Sequence, residues 1–113
     1  MASDPPLSST ELPGLDVGAL AAWAAGHLPG HGPVRDAVLL KGGLSNLTFR
    51  IVFDGGSAVL RRPPRGPVLP SAHDMGREYR VLSGLQGSAV PVARTIAYHG
   101  DSDVLGAPFY LVE

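Results

Sequence analysis

At 113 residues, 44% of them apolar, the chain has the size of one domain or part of one. A formal net charge of −1 gives no electrostatic case for a nucleic-acid partner or an anionic membrane. The absence of cysteine excludes disulfides, thiolate zinc sites and cysteine nucleophiles, and no apolar run approaches the roughly 20 residues that span a bilayer.

The opening MASDPPLSSTELPG lacks a basic region followed by an apolar core, so it does not read as a secretory signal, and a cytoplasmic protein is expected. With three prolines and several Ser and Thr, residues 1–14 read as a mobile tail. LDVGALAAWAAGHLPG then predicts a helix. Asp16 is placed to cap it, Leu20, Trp23, Ala24 and Leu28 recur at helical spacing, and Pro29 and Gly30 end it. The helix and its linker take up residues 15–33. Trp23 is the side chain through which such a helix would pack on a neighbour.

From Val34 the period changes. DAVLL (36–40) reads as a short strand, and NLTFRIVF (46–53) alternates, with Leu47, Phe49, Ile51 and Phe53 on one face. Asp54-Gly55-Gly56 predicts a hairpin turn, since Asp-Gly and Gly-Gly accept positive φ, and SAVLRR (57–62) is the return strand. Prolines at 63, 64, 67 and 70 then forbid regular structure. Ser71 opens a second helix, SAHDMGREYRVLSGL, with Asp74 in its first turn. Strands follow near 94–99 and from 108 to 113. The order of helix, three antiparallel strands, helix and two strands predicts an α+β fold, a five-stranded antiparallel sheet with one helix packed on a face.

The second helix carries a carboxylate out of place. Met75, Leu82 and Leu85 form its apolar stripe, and Glu78 lies on that stripe. Facing a core, a carboxylate costs several kcal/mol unless it is paired, so Glu78 asks for a cation on the sheet beneath. Along Val59-Leu60-Arg61-Arg62, alternation puts Val59 and Arg61 on one face and Leu60 and Arg62 on the other, so one arginine can reach that face. Such a pair is either structural or a means of holding a guanidinium ready for phosphate oxygens, which Arg grips in bidentate fashion.

In this order, a Gly-rich strand-loop-strand, a strand arginine and a helix glutamate resemble the amino-terminal lobe of the aminoglycoside-phosphotransferase (choline-kinase-like) group of protein-kinase-fold enzymes. The branch most resembled is the one related to kinase-like domains associated with acyl-CoA dehydrogenases. The resemblance rests on GGLSNLTFRI (42–51), AVLRRPPRGPVLPSAHDMGREYRVLSGL (58–85), VPVARTIAY (90–98) and GAPFYLVE (106–113). It implies a kinase-like lobe over residues 34–113. It also implies that Gly42, Gly43, Leu44, Ser45 and Asn46 form the loop over the nucleotide phosphates. Their glycines permit close backbone approach, and Ser45 and Asn46 can donate to phosphate oxygens. Arg61 falls where kinases carry the strand lysine that touches the α- and β-phosphates, and Glu78 where the helix glutamate orients it. Val59 matches the apolar residue above the adenine ring. Val112 and Glu113 match the start of the hinge at the adenine edge.

The resemblance thus implies ATP and Mg²⁺, with a small-molecule hydroxyl as acceptor, of hydroxyacyl-CoA type rather than an aminoglycoside. Enzymes of this group carry the catalytic Asp and the metal ligands in a carboxy-terminal lobe, and no catalytic residue is assigned here. His99-Gly100-Asp101 spells the catalytic-loop letters by accident, between two lobe strands and with no Asn at the required distance; Asp101 is expected to be a turn residue. On this reading the chain alone is catalytically incomplete and belongs to a longer parent. The alternative is a non-catalytic orphan lobe or binding module from a truncated gene. His27, His31, His73 and His99 show no metal-ligand spacing and are expected to be solvated, and Tyr79 and Tyr98 to be packing residues.

Overall fold

The computed structural model describes residues 12, 14–41, 47–63 and 75–113. The expected phosphate loop (42–46), the Pro-rich link, the start of the second helix with Ser71 and Asp74, and most of the amino-terminal tail lie outside the described residues.

Helix α1 (Val17–His27) starts where Asp16 predicted, its carboxylate accepting from the Ala19 N–H at 3.0 Å. A short 3-10 turn (Pro29–His31) leads into β1 (Val34–Lys41), β2 (Leu47–Phe53) and β3 (Gly56–Arg62). Helix α2 (Met75–Gly84), β4 (Thr95–His99) and β5 (Phe109–Val112) complete the chain. The strands form one antiparallel sheet in the order β1-β2-β3-β5-β4. Element order and fold class are as the sequence predicted.

The β2–β3 hairpin closes on Asp54-Gly55, with Phe53 opposite Gly56. Of the turn residues only Gly56 takes a positive φ, at 146°, so the expected reason for the turn holds there and not at Asp54. The turn gains its hold elsewhere. Gly55 N–H donates to the His31 carbonyl at 2.9 Å, and Arg35 grips Asp54 with two donors, Nη2 to Oδ2 at 2.9 Å. That pair holds the Asp54 carboxyl below the usual carboxylate range.

Alternation in β2 buries Leu47, Phe49, Ile51 and Phe53, as predicted. These side chains meet Leu20, Trp23 and Ala24 of α1 and Phe109 and Leu111 of β5 in the main core. Helix α2 lies over β4 and β5 and closes a smaller cluster of Met75, Tyr110 and Val112. Covered by apolar clusters on both sides, β5 is buried at every position, and its FYLV run is continuously apolar rather than alternating.

Two expectations are corrected in part. The segment read as a mobile tail is held at its end: Leu12 is buried and the Gly14 carbonyl is bonded to the core. Of the described histidines, all expected to be solvated, His27 is exposed, while His31 and His99 are half-buried. His27 stacks on Trp23, and His31 sets its ring edge-on to Phe53. His99 accepts from Trp23 Nε1–H through Nδ1 at 3.2 Å, which leaves Nε2–H to donate to Asp103. This relay ties α1 to the β4–β5 connection and holds the Asp103 carboxyl low. Tyr79 and Tyr98 do pack, as a stacked pair with ring centres 5.6 Å apart.

Candidate functional site

The site begins with two adjacent arginines at the end of β3. Cross-strand register sorts them. Leu60 lies opposite Phe49 and Leu111 and faces the main core, so Arg62 faces that core too. Arg62 is 5% exposed and donates to the carbonyls of Pro63 (2.8 Å), Gly14 (2.8 Å) and Leu105 (2.9 Å). It is an internal tie, a role that the sequence reading did not assign. Arg61 emerges on the opposite face, beneath α2.

On that face the register builds two rows. Thr48, Arg61 and Tyr110 lie side by side across β2, β3 and β5. One step along, Val38, Arg50, Val59 and Val112 form the second row across β1, β2, β3 and β5. Helix α2 roofs the β5 and β4 end of this face, while Val38 and Arg50 at the β1 and β2 end are exposed. The result is a half-open surface with Arg61 in one row and, in the next, three valines and the exposed Arg50.

Glu78 meets its predicted cation. Its Oε1 stands 3.6 Å from Arg61 Nη1, and both side chains are about one-third exposed, at 35% and 37%. The distance is that of a loose ion pair rather than a hydrogen bond. A partner the sequence reading missed takes the closer contact: Tyr110 donates its hydroxyl to the same Oε1 at 2.8 Å. Burial first, and then this bond to a carboxylate, push the Tyr110 hydroxyl up to about 12. No period in the sequence distinguishes Tyr110 from its apolar neighbours. The signal for it was indirect: a helix carboxylate over a strand with one aromatic hydroxyl.

Arg61 Nε is buried with no hydrogen-bond partner among the described residues. A buried donor on a cation without an acceptor is costly and rare. Of the other predicted site residues, Val59 is half-buried directly opposite Val112, which is buried. Glu113 is exposed, and its N–H already donates to the Arg94 carbonyl at 2.8 Å, so that donor is taken within the fold. Gly42, Gly43, Leu44, Ser45 and Asn46 lie outside the described residues. Asp101 sits in a bend, near His99 and exposed Asp103, and away from the Arg61 face.

Residues 36–113 match the model of the phosphotransferase enzyme family. The chain is 37% identical over 102 residues to acyl-CoA dehydrogenase family member 11 of Mus musculus, covering 87% of this chain and 13% of that protein. It is 42% identical over 71 residues to family member 10 of the same species, covering 63% and 7%. Among solved structures, it is similar to a "putative aminoglycoside phosphotransferase" from Ralstonia eutropha, with a TM-score of 0.68 at 39% identity over 87% of this chain and 27% of that one. The chain thus spans a small part of the length of the relatives it matches. A family match over residues 36–113, well over half of the chain, places this chain in the phosphotransferase enzyme family.

Proposed function

We propose that this chain is the nucleotide-binding lobe of an ATP-dependent phosphotransferase that acts on a small-molecule hydroxyl. The observation that carries the reading is Arg61: a strand guanidinium held loosely by Glu78 and about one-third exposed, at 37%. A guanidinium meets phosphate with two donors at once. Val59 and Val112 lie side by side in the next row, an apolar pair suited to the face of a purine ring, with Arg50 on the other side of Val59.

In phosphoryl transfer, catalysis is mostly positioning and neutralisation of charge on the transferred group. On this reading Arg61 holds and neutralises phosphate oxygens, Glu78 aims Arg61, and residues 42–46, outside the described residues, are the expected phosphate loop. Bound Mg²⁺ would supply further neutralisation, from ligands in a carboxy-terminal lobe rather than from this chain. The acceptor base would lie there too, so this chain alone would be catalytically incomplete. Similarity to the acyl-CoA dehydrogenase family members favours an acceptor hydroxyl on an acyl-CoA-like molecule.

The test is phosphoryl transfer from labelled ATP by the protein translated from the complete reading frame that contains this chain. Arg61→Ala and Glu78→Ala should each lower turnover by about a hundredfold, the order found for removing one preorganised charge-stabilising donor, and leave the fold intact. Full activity in both variants refutes the assignment. MgATP binding that is lost in Arg61→Ala, with no transfer to any hydroxyl acceptor, would favour a non-catalytic binding module.

A further inference from the structure

Arg61 is joined on its face of the sheet by a second guanidinium. Along β2 the side chains that point away from the main core are Thr48, Arg50 and Val52, and of these Arg50 is exposed. The register sets Arg50 opposite Val59, two residues before Arg61 on β3, and Thr48 opposite Arg61 itself. Arg50 and Arg61 are therefore diagonal neighbours across one strand pair, a spacing of roughly 7–8 Å between their strand positions. Both side chains are long enough to bring their heads to one ligand. Helix α2 lies over β4 and β5, so the end of the face that carries Arg50 is left uncovered.

The two arginines differ in what holds them. Arg61 has Glu78 Oε1 at 3.6 Å. Arg50 has no ion pair among the described residues. The acid of the neighbouring row, Asp36 beside Val52, accepts from the Ala37 N–H at 2.9 Å. Packing does not call for an arginine at position 50 either. Its cross-strand neighbours are Val38 and Val59, and a β-branched residue suits such a place. A second cation one diagonal step from Arg61 adds repulsion, which a bound anion converts into attraction.

We propose that Arg50 is a ligand-binding residue, the second cation of the Arg61 face, and that this face takes a chain of phosphoryl groups in preference to a single phosphate. The inference rests on the phosphate-binding role given to Arg61 above. A lone phosphate is gripped by one guanidinium fork, and Arg61 supplies it. A polyphosphate carries further charge across the face to Arg50 at the uncovered end. Loss of Arg50 is then felt by the chain and hardly by the single phosphate.

The test uses the full chain, with inorganic triphosphate and inorganic phosphate as probes and the dissociation constant for each as the readout. The wild type should bind triphosphate more tightly than phosphate. Arg50→Gln should weaken triphosphate by roughly three- to tenfold, the worth of a charge-assisted contact discounted for exposure, and phosphate by less than about twofold. Arg61→Ala should weaken both. Arg80→Gln makes the same change of charge at an exposed position of α2, off the sheet face, and should weaken neither.

Unchanged triphosphate affinity in Arg50→Gln, with Arg61→Ala weakened, would overturn the role of Arg50 and leave the Arg61 site standing. An equal loss in Arg80→Gln would do the same, since the effect would then be one of net charge. Equal losses for phosphate and triphosphate in Arg50→Gln would overturn the preference for a chain. Wild-type affinity in Arg61→Ala, or a wild type that does not bind triphosphate, would overturn the Arg61 site itself and this inference with it.

Discussion

Replacing Arg62 by alanine separates the two neighbouring arginines by function. Arg62 is 5% exposed and donates to the carbonyls of Pro63, Gly14 and Leu105 at 2.8, 2.8 and 2.9 Å. Its loss strands two buried carbonyls, at about 1–3 kcal/mol each, while water can replace the partner of the part-buried Gly14 carbonyl. It also opens a void in the core between β3 and the Gly14 backbone, where even a Cβ on Gly14 would stand 3.1 Å from Arg62 Nη1. Together these give a cost of about 3–5 kcal/mol, a large share of the roughly 5–15 kcal/mol that holds a domain folded. The melting temperature should fall by about 10–30 °C at this chain length. Arg61→Ala removes a loose pair whose members are about one-third exposed, at 37% and 35%, and should cost less than about 1 kcal/mol. The assay is urea and thermal unfolding followed by the fluorescence of Trp23, the sole tryptophan and 7% exposed in the main core. An Arg62→Ala variant within about 1 kcal/mol of the wild type, or an Arg61→Ala variant equally destabilised, would refute the division of roles.

Two smaller perturbations test other parts of the fold. Asp16→Ala removes the cap of α1 and should lower stability by about 1 kcal/mol in the same unfolding assay, and an unchanged midpoint would deny the cap its role. Tyr110 should titrate late, with its hydroxyl pushed from 10.0 to about 12, so tyrosinate absorbance should show a last step that Tyr110→Phe abolishes. The folded pKa is raised, so this group's contribution to stability is whole below pH 10 and is lost as pH rises toward 12. Tyr110→Phe should flatten the decline over that window, and an equally steep fall in the variant would contradict the assigned burial and bond.

Much of this was legible because the signals were local. The period-two pattern of β2 showed which face is buried, and the cap at Asp16 showed where α1 starts. Glu78 betrayed the site because a carboxylate on an apolar stripe has few affordable partners, and the sheet supplied Arg61. Alternation alone could say that Arg61 and Arg62 part company, but not which one is buried; that choice is made by the strand register with Phe49 and Leu111. Tyr110 was invisible because β5 is covered on both faces, and a tyrosine in a uniformly apolar run reads as filler. The packing of His99 was missed for a related reason. Its partner Trp23 comes from a distant part of the chain, and no spacing in the sequence encodes that meeting.

The central claim is that the Arg61 face receives a nucleotide. The most direct measurement is a titration of the isotope-labelled chain with MgATP, following every backbone amide. Weak binding in fast exchange is the prediction, with the largest shifts at Val59, Arg61, Glu78, Tyr110 and Val112, all removed by Arg61→Ala. Shifts confined to other surfaces, such as the apolar hollow between α1 and Pro33, or shifts unaffected by Arg61→Ala, would contradict the account.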